Sequence, residues 1–265
     1  MSMAAVTKKK KVIIDTDPGI DDAMAIFVAL RSQELEVVGL TTIFGNVYTA
    51  LATRNVRHLV GPLPSPHAQL SVLTNGHQAT DWSFVHGSDG LGNQNFHPPA
   101  GKAVEQSAAA FLVEQANLYP GQVTVVALGP LTNLALAVEL DPSFPKKIGQ
   151  IIILGGAYSV NGNVNPAAEA NIFGDPDAAD IVFTCGADIL AIGINITHQV
   201  ILSASTGIQI WLHKELVSGD NGGYDGVGVA PKPVDDWWAD KLDSGILNRT
   251  LWYKPHAYTL MVPVT

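Results

Sequence analysis

Four aspartates, Asp15, Asp17, Asp21 and Asp22, fall within eight residues of the run Val12-Ile13-Ile14-Asp15-Thr16-Asp17-Pro18-Gly19-Ile20-Asp21-Asp22. Carboxylates a few ångströms apart repel and raise one another's pKa, so so dense a cluster asks for a cation. An all-oxygen donor set suits a hard ion. Calcium accepts about six to eight oxygens in irregular geometry, whereas magnesium keeps more of its water. Three carboxylates from one turn, supplemented by carbonyls from neighbouring strand ends, suit calcium slightly better. The competing account, in which Asp21 and Asp22 merely favour a helix N-terminus through its dipole, explains one aspartate more easily than three.

A second polar group is rich in amides: Asn161, Asn163, Asn165 and Asn171 with Glu169, and Asn46 upstream. Taken alone, Asn161-Gly162-Asn163 reads as a turn, since asparagine and glycine dominate turns for backbone reasons. Facing an acidic cluster, amides and carboxylates at strand ends become partners for the hydroxyls of a sugar.

These residues need a frame that carries strand ends to one place. Short β-branched runs over 12–17, 36–43, 123–128, 148–154 and 189–194 read as parallel strands covered on both faces, because they are nearly continuously apolar. Helical patterns over 20–31, 48–60, 104–118, 131–139 and 176–184 alternate with them. Such alternation predicts an α/β fold with a doubly wound, mostly parallel sheet and helices on both faces, whose ligands sit beyond the carboxyl ends of the strands. The acidic cluster, Gly45-Asn46, Gly129-Pro130 and Gly155-Gly156 all fall there. The loop-rich stretch over 61–99, with His67, His77, His86 and His97, reads as a lid or site wall. The expected organisation is a basic arm over 1–11, an α/β domain over 12–202, and a C-terminal segment over 203–265 whose only legible element is a helix over 203–217.

Composition narrows the function further. The 265 residues are 47% hydrophobic and carry a net charge of −9. Residues 1–11 hold four lysines and no acid, so the remainder is more negative still. Such a body repels nucleic-acid phosphates. Cys185 is the sole cysteine, which fits a reducing compartment. No apolar signal precedes the lysines, and the apolar stretch over 123–140 is broken by Gly129-Pro130, so neither export nor a membrane span is expected. A cytoplasmic location follows as an expectation. No G-x-G-x-x-G or Walker-type phosphate loop occurs.

The run Asp15-Thr16-Asp17-Pro18-Gly19-Ile20-Asp21-Asp22 resembles the N-terminal signature of the inosine–uridine-type nucleoside hydrolases. So do Gly45-Asn46 with Arg54-Asn55, His86-Gly87 with Gly90-Leu91-Gly92, and Leu128-Gly129-Pro130-Leu131-Thr132-Asn133. Leu154-Gly155-Gly156, Gly162-Asn163 through Ala168-Glu169-Ala170-Asn171, Asp175-Pro176 and Thr197-His198-Gln199 continue the match in family order. The wording from Asn165 to Asn171 is similar to the plant branch. The resemblance implies hydrolysis of the N-glycosidic bond of ribonucleosides to ribose and a free base. It implies a calcium ion held by Asp17, Asp22 and the carbonyl of Leu128, with Asp17 taking a proton from the attacking water. Asp21, Asn46, Asn163, Glu169 and Asn171 are implied to hold the ribose, with His86 near the site entrance, in a homodimer or homotetramer.

Two alternatives compete. The family's C-terminal His-Asp pair has no match here, since Lys214 follows His213 and Ala257 follows His256. That leaves open a nucleoside- or calcium-binding relative with impaired turnover, unless Asp235 or Asp236 substitutes. Asp15-x-Asp17 after a strand also mimics a haloacid-dehalogenase-type phosphatase, although Gly19 stands where that chemistry wants threonine or valine.

Overall fold

The computed structural model describes residues 8–60, 69–72, 83–93, 96, 98–99, 103–104 and 106–200. The expected helix over 203–217, His213, Asp235, Asp236 and His256 lie outside the described residues, as do His67, His77 and His97. Six strands, β1 (Lys10–Thr16), β2 (Leu35–Thr42), β3 (Gln69–Val72), β4 (Val123–Ala127), β5 (Gln150–Leu154) and β6 (Ile189–Ile192), form one sheet. Its order is β3-β2-β1-β4-β5-β6 and every pairing is parallel. The chain moves outward from β1 to β3, then returns to the other side of β1 as β4. The carboxyl ends of β1 and β4 therefore flank the crevice where an open α/β sheet takes its ligands.

Alternation along β1 builds two cores. Val12 and Ile14 face one side, packing with Val37, Leu40 and Leu128, with Ile26 of helix α1 (Ile20–Arg31) and with Val56 of α2 (Thr49–Val60). Ile13 faces the other, with Val125, Ile151 and Ile153. Phe111 of α4 (Ala108–Leu118) and Leu134 of α5 (Thr132–Leu140) cover that side, after the short α3 (Ser83–His86). Phe144 of α6 (Phe144–Lys147) and Val182 of α8 (Pro176–Thr184) complete it. The short α7 (Ala170–Gly174) and α9 (Ile194–Thr197) sit past β5 and β6. No helix among the described residues is long and apolar enough to cross a membrane.

Several element ends differ from the sequence reading, each for a local reason. β1 begins at Lys10, inside the lysine run assigned to an arm, because it pairs with Leu35 there, and Lys11 meets Glu36 at 2.8 Å. α4 starts at Ala108 rather than 104, because the Ser107 hydroxyl accepts the Ala110 N–H at 3.2 Å and caps it. β6 stops at Ile192, since Gly193 opens α9. β3 joins the sheet from within the stretch read as loop.

Phe111 is fully buried. Phe111→Ala is expected to cost about 3–5 kcal/mol, a core aromatic's transfer and cavity cost combined. Urea unfolding should show a lower midpoint at unchanged slope.

Candidate active site

β1 ends at Thr16, so Asp17 emerges at the crevice as the first residue past the strand, yet it is 1% exposed. The segment after β2 folds across it. Gly45 passes close by and the Asn46 N–H donates to Asp17 Oδ2 at 2.6 Å. Helix α1 then opens at Gly19, whose N–H donates to Asp22 Oδ2 at 3.1 Å. Asp22 is thus partly the helix-end carboxylate that dipole reasoning expects. It also accepts the Thr16 hydroxyl at 2.5 Å and the Asn46 side-chain amide at 3.3 Å. One oxygen each of Asp17 and Asp21 (Oδ1) is buried with no hydrogen-bond donor among the described residues.

Burial governs the charge state of this group. Loss of water pushes Asp22 up to about 7, with the charge of Asp21 adding to it. Asp21 is pushed up to about 6, again chiefly by burial. Asp17 is raised well above the ordinary carboxylate range, first by burial and then by the charge of Asp22. Such crowding of perturbed carboxylates in a crevice marks a functional site.

Across the crevice, the β5–α7 loop is tied by its own polar side chains. Glu169 caps α7: Oε1 accepts the Asn171 N–H at 2.9 Å, and Oε2 accepts the N–H groups of Ile172 at 3.1 Å and Gly156 at 3.0 Å. Burial raises its pKa despite these donors. Asn163 Oδ1 accepts the Ala170 N–H at 2.9 Å. The Asn171 side-chain amide bridges two strand ends, donating to the carbonyls of Leu128 at 2.7 Å and Leu154 at 2.9 Å. Asn163 and Glu169, two of the five residues expected to hold the ribose, thus bind backbone N–H groups of their own loop.

A cavity of about 20 Å³ lies between the two walls, lined by Asp17, Phe44, Gly45, Asn46, Pro130, Ala170, Asn171 and Gly174. It brings together Asp17, Asn46 and Asn171 of the expected site. Asp21, Asp22, Asn163, Glu169 and Leu128 are not part of this lining. His86, expected near the entrance, is instead buried at 4% exposure against the start of α1. Its Nδ1 accepts the Ile20 N–H at 3.2 Å, and burial lowers its pKa to about 4, so the 3.9 Å approach to Asp21 joins a neutral ring to a carboxylate at neutral pH. A broader depression beside β6, about 630 Å³, holds none of these carboxylates.

The sequence reading passed over Thr16, Thr41 and Asn133 as site residues. Asp15 is fully buried, and its Oδ1 accepts the Thr41 hydroxyl and, at 2.7 Å, the Asn133 amide. That arrangement removes the free nucleophile a phosphatase reading needs. Hydroxyls at the carboxyl ends of β1 and β2 were the available signal.

The model of the inosine-uridine preferring nucleoside hydrolases matches residues 12–238. A probable uridine nucleosidase 2 of Arabidopsis thaliana is 66% identical over 205 residues, covering 76% of this chain and 64% of the relative. Uridine nucleosidase 1 of the same plant is 55% identical over 220 residues, covering 80% of this chain and 65% of the relative. The match thus spans just under two-thirds of the length of these curated relatives. Among solved structures, a plant nucleoside hydrolase aligns with a TM-score of 0.68 at 57% identity, covering 74% of this chain and 63% of its own. An inosine-guanosine nucleoside hydrolase aligns with a TM-score of 0.71 at 26% identity, covering 96% of this chain and 75% of its own. A crevice of buried carboxylates at the β1–β4 switch, on a sheet with these relatives, gives one conclusion: the chain belongs to the inosine-uridine preferring nucleoside hydrolase family, on its plant-like branch.

Proposed function

We propose that this chain hydrolyses the N-glycosidic bond of ribonucleosides, uridine and inosine among them, with calcium as its metal. The observation that carries this reading is Asp17 at the crevice, buried, with Oδ1 lacking a donor and with Asn46 and Asn171 lining the same cavity.

The residues present fit a hard cation. Among the described residues, no three Asp, Glu, His or Cys side chains close into a full metal cage. The fit rests instead on an open half-site of oxygens: Asp17, Asp22 and the Leu128 carbonyl, which keeps a second lone pair beside its bond from Asn171. The backbone packs closely around the Asp17 carboxylate at two glycines. A methyl group at Gly45 would overlap Asp17 Oδ2, and one at Gly129 would lie 2.6 Å from Oδ1. A bound calcium supplies Lewis acidity that brings the pKa of water toward neutrality.

The chain's own groups do the rest. Asp17, whose basicity burial and the charge of Asp22 raise well above that of an ordinary carboxylate, is suited to take the proton of the attacking water. Asp21 and Asn46 hold the ribose hydroxyls beside it, and Asn171 orients the sugar from the opposite wall. As the C–N bond breaks, positive charge develops on the ribosyl ring, and the carboxylates stabilise it in a site largely closed to water. Burial lowers the His86 pKa to about 4, which near pH 7 favours a neutral ring that positions Asp21 rather than a general acid.

Three outcomes test this. On the full chain, reducing sugar should appear from uridine and inosine, cease with a calcium chelator, and fall about 10²–10⁴-fold in Asp17→Ala; undiminished release in that variant would remove Asp17 from its role. Gly45→Ala should displace the Asp17 carboxylate, lower the melting temperature, and bind calcium at least about tenfold more weakly in calorimetry. Raised carboxyls must shed protons to take a cation. Calcium binding near pH 6 should therefore release at least about one proton, read from the buffer dependence of the heat, and fewer on the alkaline side. The corresponding stability sign is fixed by pKa values raised from 3.8 to about 6 and 7. Their stabilisation of metal-free protein is complete below about pH 4 and lost as pH rises through about 7. Added calcium should restore the melting temperature on the alkaline side.

A further inference from the structure

Asp15 is the one carboxylate of the acidic run that the proposed chemistry leaves unused, and it is 0% exposed. It lies on β1 opposite Thr41 of β2 and Ala127 of β4. Its side chain points to the α5 face, the side that Ile13 also takes. One oxygen, Oδ1, gathers the Thr41 hydroxyl and the Asn133 amide, and Asn133 also donates to the Thr42 carbonyl at 3.2 Å. The backbone continues the same ties. The Asp15 carbonyl accepts the Leu128 N–H at 2.7 Å, and the Thr16 carbonyl accepts the Ile43 N–H at 3.1 Å.

Two paths lead from Asp15 to the crevice. One runs through its own carbonyl to the Leu128 peptide, whose oxygen belongs to the half-site. The other runs through Thr41, Thr42 and Ile43 to Gly45-Asn46, whose N–H holds Asp17 Oδ2. An apolar side chain at 15 would avoid the cost of burying a carboxylate, but would strand the Thr41 and Asn133 donors between β1, β2 and α5. We propose that Asp15 is a positioning residue for the cation: its hydrogen bonds to Thr41 and Asn133 lock the ends of β1 and β2 against α5, and so set Asp17 and the Leu128 carbonyl at the spacing the ion needs. This rests on the calcium reading above.

The test is calorimetric titration of the full chain with calcium chloride alone, in the parent and in Asp15→Ala, Thr41→Val and Asp15→Asn. Outer-shell groups typically change metal affinity about 10- to 100-fold. Asp15→Ala is expected to weaken calcium within that range and Thr41→Val by at least several-fold, both measured well below their melting temperatures. Asp15→Asn keeps an oxygen acceptor and is expected to recover affinity to within about threefold of the parent. At saturating calcium, kcat on uridine should return in Thr41→Val while its calcium requirement stays shifted, a split that general destabilisation does not produce. Parental calcium affinity in a folded Asp15→Ala overturns the proposal, and Thr41→Val decides alone if that variant does not fold. Affinity as poor in Asp15→Asn as in Asp15→Ala overturns positioning in favour of charge. A parent that binds no calcium overturns the metal reading, and this inference with it, before any variant is compared.

Discussion

The crevice is governed by the cost of keeping four carboxylates in one dry place. A shift of one pKa unit corresponds to about 1.4 kcal/mol between protonation states. Raising Asp22 from 3.8 to about 7 therefore represents roughly 4 kcal/mol against its ionised form. Asp15 is pushed to about 7 and Asp21 to about 6 by the same loss of water. Whole domains are stable by only about 5–15 kcal/mol, so ionising all of these together without compensation would consume much of that margin. Donors from Thr16, Thr41, Asn133, Gly19 and Asn46 offset part of the cost. They leave one oxygen each of Asp15, Asp17 and Asp21 buried with no donor among the described residues. The fold can hold the cluster protonated, or hold it charged around a cation, and the second state is the one that the proposed chemistry would use.

The frame that permits this is rigid because neighbouring strand ends are fastened from both sides. Asn171 joins the carbonyls that end β4 and β5, while Asn133 and Asp15 join β1 to β2. Glu169 and Asn163 draw their loop in through backbone N–H groups, leaving Asn171 aimed at the crevice wall. Preorganisation of this kind matters because a group held in place beforehand needs no reorganisation as charge develops.

Buried strands were legible in the sequence because parallel strands covered on both faces are written as unbroken apolar runs: 123–128 and 148–154 are read almost residue for residue. β3 and the helices of four or five residues were not, since an element that short carries barely one period of pattern. Asp17, Asp22 and Asn46 were legible as a group because proximity in sequence, plus one neighbouring strand end, brings them together. The roles of Asn163 and Glu169 were harder to read. A side-chain oxygen near a turn can serve a ligand or a backbone N–H, and residue type does not distinguish the two. The placement of His86 was hard to read for a different reason. Its burial follows from how closely α3 approaches Gly19, where an added methyl would sit 2.7 Å from the imidazole, and a contact across 67 residues leaves no local trace. Asn133 and Thr41 escaped notice likewise, because their partner is a strand away.

The charge count of the crevice bears on which step it assists. Asp17, Asp21 and Asp22 together carry three negative charges when ionised, and a divalent cation cancels two. The excess would be a liability if the site had only to bind a neutral nucleoside, because it adds repulsion and gains nothing from an uncharged ligand. It becomes useful when the sugar turns cationic, since the attraction then exists in the transition state and not in the ground state. Interactions of that kind raise turnover, whereas those shared by both states only tighten binding. The same excess disfavours a phosphorylated ligand, whose charge would meet a negative wall with no basic side chain among the described residues that line the cavity. On the proposed reading, an acidic turn at the end of a buried strand would do two things at once: recruit the ion, and leave enough charge over to favour the departure of the base.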